Sequence, residues 1–232
     1  MKILPKTILF DLDNTLLRMD EETFINLYMD SLAGTFKDRL DAQKLVKSIW
    51  EGVEAIYRNN GQKTNEEAFW DCVEEKYGQD LRPMLPEFEN FYRTEFENAR
   101  SSCQARPQVR EFIESLKPDH QLILATNPIF PRVAVEARLK WAGLRAEDFD
   151  YITTYENSTA CKPNPVYYQE IMKKTGAVPC ECVMIGNDAD EDMSAAVTGM
   201  DTILITDDLI NRKNKDLSVY EQMTWKELTQ AA

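Results

Sequence analysis

Four short apolar runs punctuate the chain, at residues 7–10, 121–125, 182–185 and 202–205. Within each, the apolar residues are continuous and do not alternate with polar ones, which is the pattern of parallel strands covered on both faces. Between the later runs lie segments with helical spacing: 131–142, stopped at Gly143; 165–175, stopped at Gly176; and 190–198, stopped at Gly199. Strand, helix and strand in alternation predict a doubly wound, mainly parallel α/β sheet of the Rossmann-like kind.

From about Leu17 to Arg100 the pattern changes. The apolar spacing is helical throughout and no strand is predicted there. Leu45, Val46, Ile49, Trp50, Val53, Ile56 and Tyr57 recur at three and four residues, as do Phe88, Phe91, Tyr92 and Phe96, so each segment carries one stripe to bury. Thr64 followed by Glu67 is a capping-box signature, and Gly78 closes the helix that it opens. At these spacings Trp50, Tyr57, Phe69 and Trp70 read as core residues before they read as a stacking platform for a base. Arg18, Arg58 and Lys63 read as solvated surface charge. The segment after Asp207 is left without assigned elements.

Composition narrows the function. The chain has 232 residues and a formal net charge of −13, with no basic stripe to override it, so a nucleic-acid partner is not expected. No apolar run approaches the roughly 20 residues needed to span a bilayer, and the N-terminal residues reach Asp11 before a signal-type segment is complete; a cytoplasmic protein without a membrane partner is expected. The five cysteines show no CxxC spacing, which argues for reduced thiols and against a zinc site. His120 is the single histidine, so histidine triads are excluded by count. Catalysis has to rest on carboxylates.

The first run leads directly into Asp11-Leu12-Asp13-Asn14-Thr15, and in open α/β sheets ligands gather at the carboxyl ends of strands. Two carboxylates two residues apart repel unless a cation binds or one keeps its proton, an arrangement that also suits a nucleophile and an acid. Judged by itself, the pentapeptide would serve equally as a solvated loop. The second run ends in Thr126-Asn127-Pro128, where a hydroxyl and backbone N–H groups can hold an anion or simply begin a helix. Lys162 stands in Cys161-Lys162-Pro163-Asn164-Pro165, whose prolines stiffen its approach; alone it reads as a surface lysine. The third run ends at Gly186-Asn187-Asp188-Ala189-Asp190-Glu191-Asp192, a concentration of acid that needs a counter-ion and offers the oxygen ligands magnesium prefers. Asp190 and Glu191 also fit the acidic first turn of a helix, which leaves Asp188 as the better ligand candidate.

In this order, each at the end of a strand, the four pieces resemble the haloacid dehalogenase superfamily, specifically its phosphatase branch with a helical cap inserted after the first strand. The resemblance covers roughly residues 1–16 and 102–206 through the Asp-x-Asp-Asn-Thr, Thr-Asn, Lys-Pro and Asp-x-x-x-Asp motifs. The cap matches only by position and helicity. The resemblance implies an α/β catalytic core of residues 1–16 and 102–232 and a cap over 17–101. It implies that Asp11 attacks phosphorus, and that Asp13 protonates the leaving oxygen and then activates the hydrolytic water. Thr126, the Asn127 backbone N–H and Lys162 would hold the phosphoryl oxygens. Mg²⁺ would be bound by the Asp11 and Asp188 carboxylates and the Asp13 carbonyl, with Asp192 arranging that site from nearby. Asn187, between Gly186 and Asp188, departs from the commoner Gly-Asp. The expected activity is hydrolysis of a small phosphorylated metabolite by a monomer or homodimer. A phosphomutase on the same core and a non-catalytic relative are the alternatives, and Asp13 counts against a dehalogenase.

Overall fold

The computed structural model describes residues 4–231; Met1, Lys2 and Ile3, which enter the reading of the N-terminus above, and Ala232 lie outside the described residues. The chain begins with β1 (Thr7–Phe10) and a short strand β2 (Leu17–Met19), then runs through α1 (Glu21–Phe36), α2 (Ala42–Tyr57), α3 (Asn65–Tyr77) and α4 (Leu85–Arg93). A 3₁₀ segment, Glu95–Ser102, returns it to β3 (Cys103–Ala105). There follow α5 (Val109–Leu116), β4 (Gln121–Leu124), α6 (Arg132–Trp141), β5 (Tyr151–Ile152), α7 (Pro165–Thr175), β6 (Cys182–Gly186), β7 (Asp201–Ile205), β8 (Glu221–Met223) and α8 (Trp225–Ala231).

Six strands form one parallel sheet in the order β5-β4-β1-β6-β7-β8. This is the expected doubly wound architecture. β1 is central because both of its faces are apolar: Ile8 and Phe10 enter one core, and Leu9 enters the other. The chain builds outward from β1 to β5, then crosses to β6 on the opposite side. The loops leaving β1, β4 and β6 therefore surround one crevice at their carboxyl ends.

The helical segment starts where the sequence places good caps. The Asp20, Asp41 and Thr64 side chains each accept a backbone N–H at the start of α1, α2 and α3, and the predicted capping box of Thr64 with Glu67 is present. Gly78 closes α3 at φ +78°, a left-handed position that glycine adopts without a Cβ penalty. Phe24, Tyr28 and Phe96 meet Phe130, and Phe96 stacks on Trp141 of the α/β part, so one apolar core runs across both. The start of α3 is also joined to the loop after β5. The N–H groups of Gly61, Asn65 and Glu66 donate to the carbonyls of Thr159, Ser158 and Tyr155, and buried Asn65 Nδ2 donates to Pro128 and Ala160.

Several expectations are corrected. The region read as free of strands contains β2, which pairs antiparallel with β3 and makes a ribbon of the outgoing and returning chain. The helix expected over 190–198 is a 3₁₀ segment, Asp192–Thr198. Trp50 and Tyr57 are not core residues: they remain 41% and 47% exposed, because α2 turns Leu45, Ile49, Gly52 and Ile56 inward instead. Phe69 and Trp70 are buried as read. Arg18, Arg58 and Lys63 lie at the surface, in ion pairs with Asp208, Glu54 and Asp71. The unassigned tail forms β8 and α8, held by Trp225, which packs on Phe112 and donates to the Pro107 carbonyl. All five cysteines are free thiols. Among the described residues, no helix is long and apolar enough to cross a membrane.

Candidate active site

Asp11 is the first residue beyond β1. Its N–H donates to the Ile185 carbonyl, which continues the β1–β6 ladder by one step and holds the carboxylate at the sheet's edge. The chain then turns sharply: Asn14 takes a left-handed φ of +60°, tolerated by its short polar side chain, which accepts the Met19 N–H at 2.7 Å. Thr15 closes the turn by donating to Asn187 Oδ1 at 3.1 Å, so the first motif is tied to the loop after β6. Asn187, the departure noted above, thus works as a brace.

Lys162 is buried, and its ammonium donates to Asp11 Oδ1 at 2.7 Å and to Asp192 Oδ1 at 2.6 Å. Burial opposes charge on this lysine, but the two carboxylates outweigh it and raise its pKa well above the ordinary range. One ammonium shared by two buried carboxylates leaves a negative charge uncompensated. Accordingly the acids rise as well: burial raises Asp11 against the pull of Lys162, with Asp13 adding to the rise, and burial pushes Asp192 up to about 6. Burial likewise takes Glu191 to about 7.

Asp188 Oδ1 accepts the N–H groups of Asp190 and Glu191 at 2.7 and 2.9 Å, while Oδ2 accepts from Arg212 at 3.0 Å. Asp192 Oδ2 accepts the Asp188 N–H at 2.9 Å, and this bond requires Gly186, where any Cβ would overlap the Asp192 side chain. Asn127 stands between loops: its Oδ1 accepts the Lys162 N–H at 3.0 Å and its Nδ2 donates to Glu191 at 2.7 Å. The carbonyl of Thr126 accepts from Thr153 and Tyr167, which fixes the turn after β4. The structure brings Asp11, Asp13, Thr126, Asn127, Lys162, Asp188 and Asp192 around one cavity of about 310 Å³, roofed by α1 and α2. Among the described residues, no group of three or more His, Cys, Asp or Glu side chains is arranged to hold a metal ion.

A family model for haloacid dehalogenase-like hydrolases matches residues 5–198, from the start of β1 to the end of the 3₁₀ segment beyond Asp192. The chain belongs to this family. The curated protein YhcW of Bacillus subtilis is 27% identical over 136 residues, a match covering 59% of this chain and 60% of that protein, so the chain spans about three-fifths of this curated relative. The HAD phosphatase from Thermococcus onnurineus shares the fold at 22% identity and a TM-score of 0.61, with 97% of each chain covered. So does the HAD-hydrolase YfnB from Bacillus subtilis, in a structure bound to magnesium, at 21% identity and a TM-score of 0.58, with 99% of each covered.

The haloacid dehalogenase-like site also holds residues that the sequence reading missed. Arg138 pairs through Nη1 with Asp13 Oδ2 and is 1% exposed. It lies on the buried stripe of α6 with Ala134, Val135 and Leu139, and a charged residue on an apolar stripe was its one available signal. Arg212, in the tail left unassigned, gave no signal. Tyr57 lines the cavity from α2, its hydroxyl 3.4 Å from Asn127 Nδ2.

Proposed function

We propose that this haloacid dehalogenase-like hydrolase is a magnesium-dependent phosphatase of small phosphomonoesters that works through an aspartyl-phosphate on Asp11. The observation that carries the reading is the placement of Asp11 against the Lys162 ammonium, with a second carboxylate two residues on, inside one cavity. In this reading a carboxylate oxygen of Asp11 bonds to phosphorus as the ester P–O bond breaks, and Asp13 gives its proton to the departing oxygen. Asp13 Oδ2 is held by Arg138 while Oδ1 has no partner among the described residues, so one carboxyl oxygen is available for proton transfer. Asp13 then takes a proton from the water that attacks phosphorus, which releases phosphate and restores Asp11. Lys162, Thr126 and the Asn127 N–H hold the non-bridging oxygens.

The residues present fit a divalent cation. Their donors are hard oxygens, and the uncompensated charge around Lys162 calls for a cation. Asp11, Asp188 and the Asp13 carbonyl would bind it, with Asp192 bracing the Asp188 backbone. Only two of these ligands are side-chain carboxylates. Arg212, the present partner of Asp188 Oδ2, is a 59% exposed side chain that can leave it. The bound ion would supply charge neutralisation between the carboxylate and phosphate. The same reading divides the chain into a core of 1–16 and 102–232 and a cap of 17–101, whose α1 and α2 cover the cavity. It also places the enzyme in the cytoplasm, a setting that suits five free thiols.

The test is phosphate release from p-nitrophenyl phosphate with and without Mg²⁺. Release is expected only with the metal, and Asp11→Asn is expected to abolish it while circular dichroism and thermal unfolding show a folded protein. Undiminished release by Asp11→Asn would remove the assignment of the nucleophile.

A further inference from the structure

Arg138 carries more hydrogen-bonding capacity than the chain uses. Its Nη1 is engaged by Asp13, but Nε and Nη2 are both buried without a partner among the described residues. Buried polar groups are nearly always satisfied, and unsatisfied donors on a charged group are costly, so such a pair points to something that completes it. The two free donors form one edge of the guanidinium, the side-on fork that accepts a carboxylate through two parallel hydrogen bonds. Phe130 covers the guanidinium, its ring centroid 4.5 Å from Cζ, and holds the side chain in place. Arg138 lines the cavity beside Phe24, Tyr28 and Ile129, a wall that is otherwise largely apolar.

We infer that Arg138 sets specificity, its free Nε–Nη2 edge receiving a carboxylate carried on the leaving group of a short phosphomonoester. The inference rests on the phosphatase reading for the order of groups in the cavity. Asp13 protonates the ester oxygen, so whatever is bonded to that oxygen lies on Asp13's side. The next donors there are those of the guanidinium that Asp13 already touches. A carboxylate one or two carbons from the ester oxygen reaches them, and the cavity of about 310 Å³ suits a molecule of that size. A carboxylate fits better than a second phosphate because its two oxygens match the planar Nε–Nη2 edge, and a single guanidinium can balance one negative charge but not two.

The test compares phospholactate with its carboxamide, which keeps the shape and loses the charge. For the wild-type protein with Mg²⁺, kcat/KM is expected to favour phospholactate roughly 10- to 100-fold, the range of a hydrogen-bonded charge. In Arg138→Lys, which keeps a cation and loses the fork, the ratio is expected to fall to within about threefold of one. A wild-type ratio near one overturns the inference, as does a ratio unchanged in Arg138→Lys. Calorimetric binding to Asp11→Asn separates this inference from the phosphatase reading and does not depend on the lysine variant folding. Tighter binding of phospholactate than of the carboxamide supports the receptor, even if the wild-type protein releases phosphate from neither ester nor from p-nitrophenyl phosphate, a result that would sink the phosphatase reading alone. Equal affinity overturns the receptor, even where p-nitrophenyl phosphate is hydrolysed.

Discussion

Lys162 is buried and has two carboxylates to answer. Removing one partner of a buried ion pair leaves the other desolvated and unpaired, which typically costs about 3–5 kcal/mol; here Asp11 and Asp192 would both be abandoned. Lys162→Met, which keeps much of the side-chain volume, is therefore expected to lower stability by about that amount in urea unfolding of the metal-free protein, besides removing the proposed phosphatase activity. If Lys162→Met unfolds at the wild-type midpoint, the lysine is not holding this charge. The sequence made Asp11 and Asp13 legible because they follow directly on a buried strand, where the local pattern already specifies a position. The partners of Lys162 were less so: a proline-flanked lysine reads as surface until the fold brings residues 11 and 192 to it. Arg138 could be noticed only as a misfit on an apolar stripe, since its match with Asp13 spans 125 positions of sequence.

Among the elements, the contact of α2 with α3 shows a sequence choice with a single steric cause. Gly52 sits in the middle of α2, where alanine would favour the helix by about 1 kcal/mol. A Cβ there would lie 2.6 Å from Val73 Cγ2 and 2.8 Å from Phe69 Cδ2, so the glycine lets the two helices close. Gly52→Ala is expected to destabilise by about 1–3 kcal/mol despite its better propensity, because the neighbours are themselves buried and have nowhere to move. Thermal unfolding decides it, and a stabilised variant would mean that α2 and α3 part easily. The stripes over 45–57 and 88–96 and the Thr64–Glu67 capping box made α2 to α4 readable in outline, whereas α1 lay within a stretch read only as helical in spacing. The three-residue strands β2 and β3 were not, because Leu17-Arg18-Met19 has too few positions for a period to appear, and their pairing is set by where the helical segment leaves and rejoins the chain.

For the molecule as a whole, a net charge of −13 coincides with a cavity whose own charges are left unbalanced. A cation binding the native state and not the unfolded one stabilises by mass action, about 2.7 kcal/mol at a hundred times its dissociation constant. Mg²⁺ is accordingly expected to raise the thermal midpoint of the wild-type protein, and Asp188→Asn to blunt that rise. A midpoint that ignores Mg²⁺ in both proteins would contradict the metal assignment. The kind of sheet was legible but not its full set of strands, since β5 has only two residues and β8 is a short, largely polar strand.

The hydrogen bonds that join the start of α3 to residues 155–160 give the molecule an asymmetric mouth. One margin of the helical roof is sewn down by main-chain bonds and by the buried side chain of Asn65. The opposite margin is closed by the solvent-exposed contact of Arg212 with Glu21 at the start of α1, a contact of the kind that costs little to break. Traffic into the crevice should therefore pass beneath the leading end of α1, where Arg212 stands between Glu21 and Asp188 at the doorway.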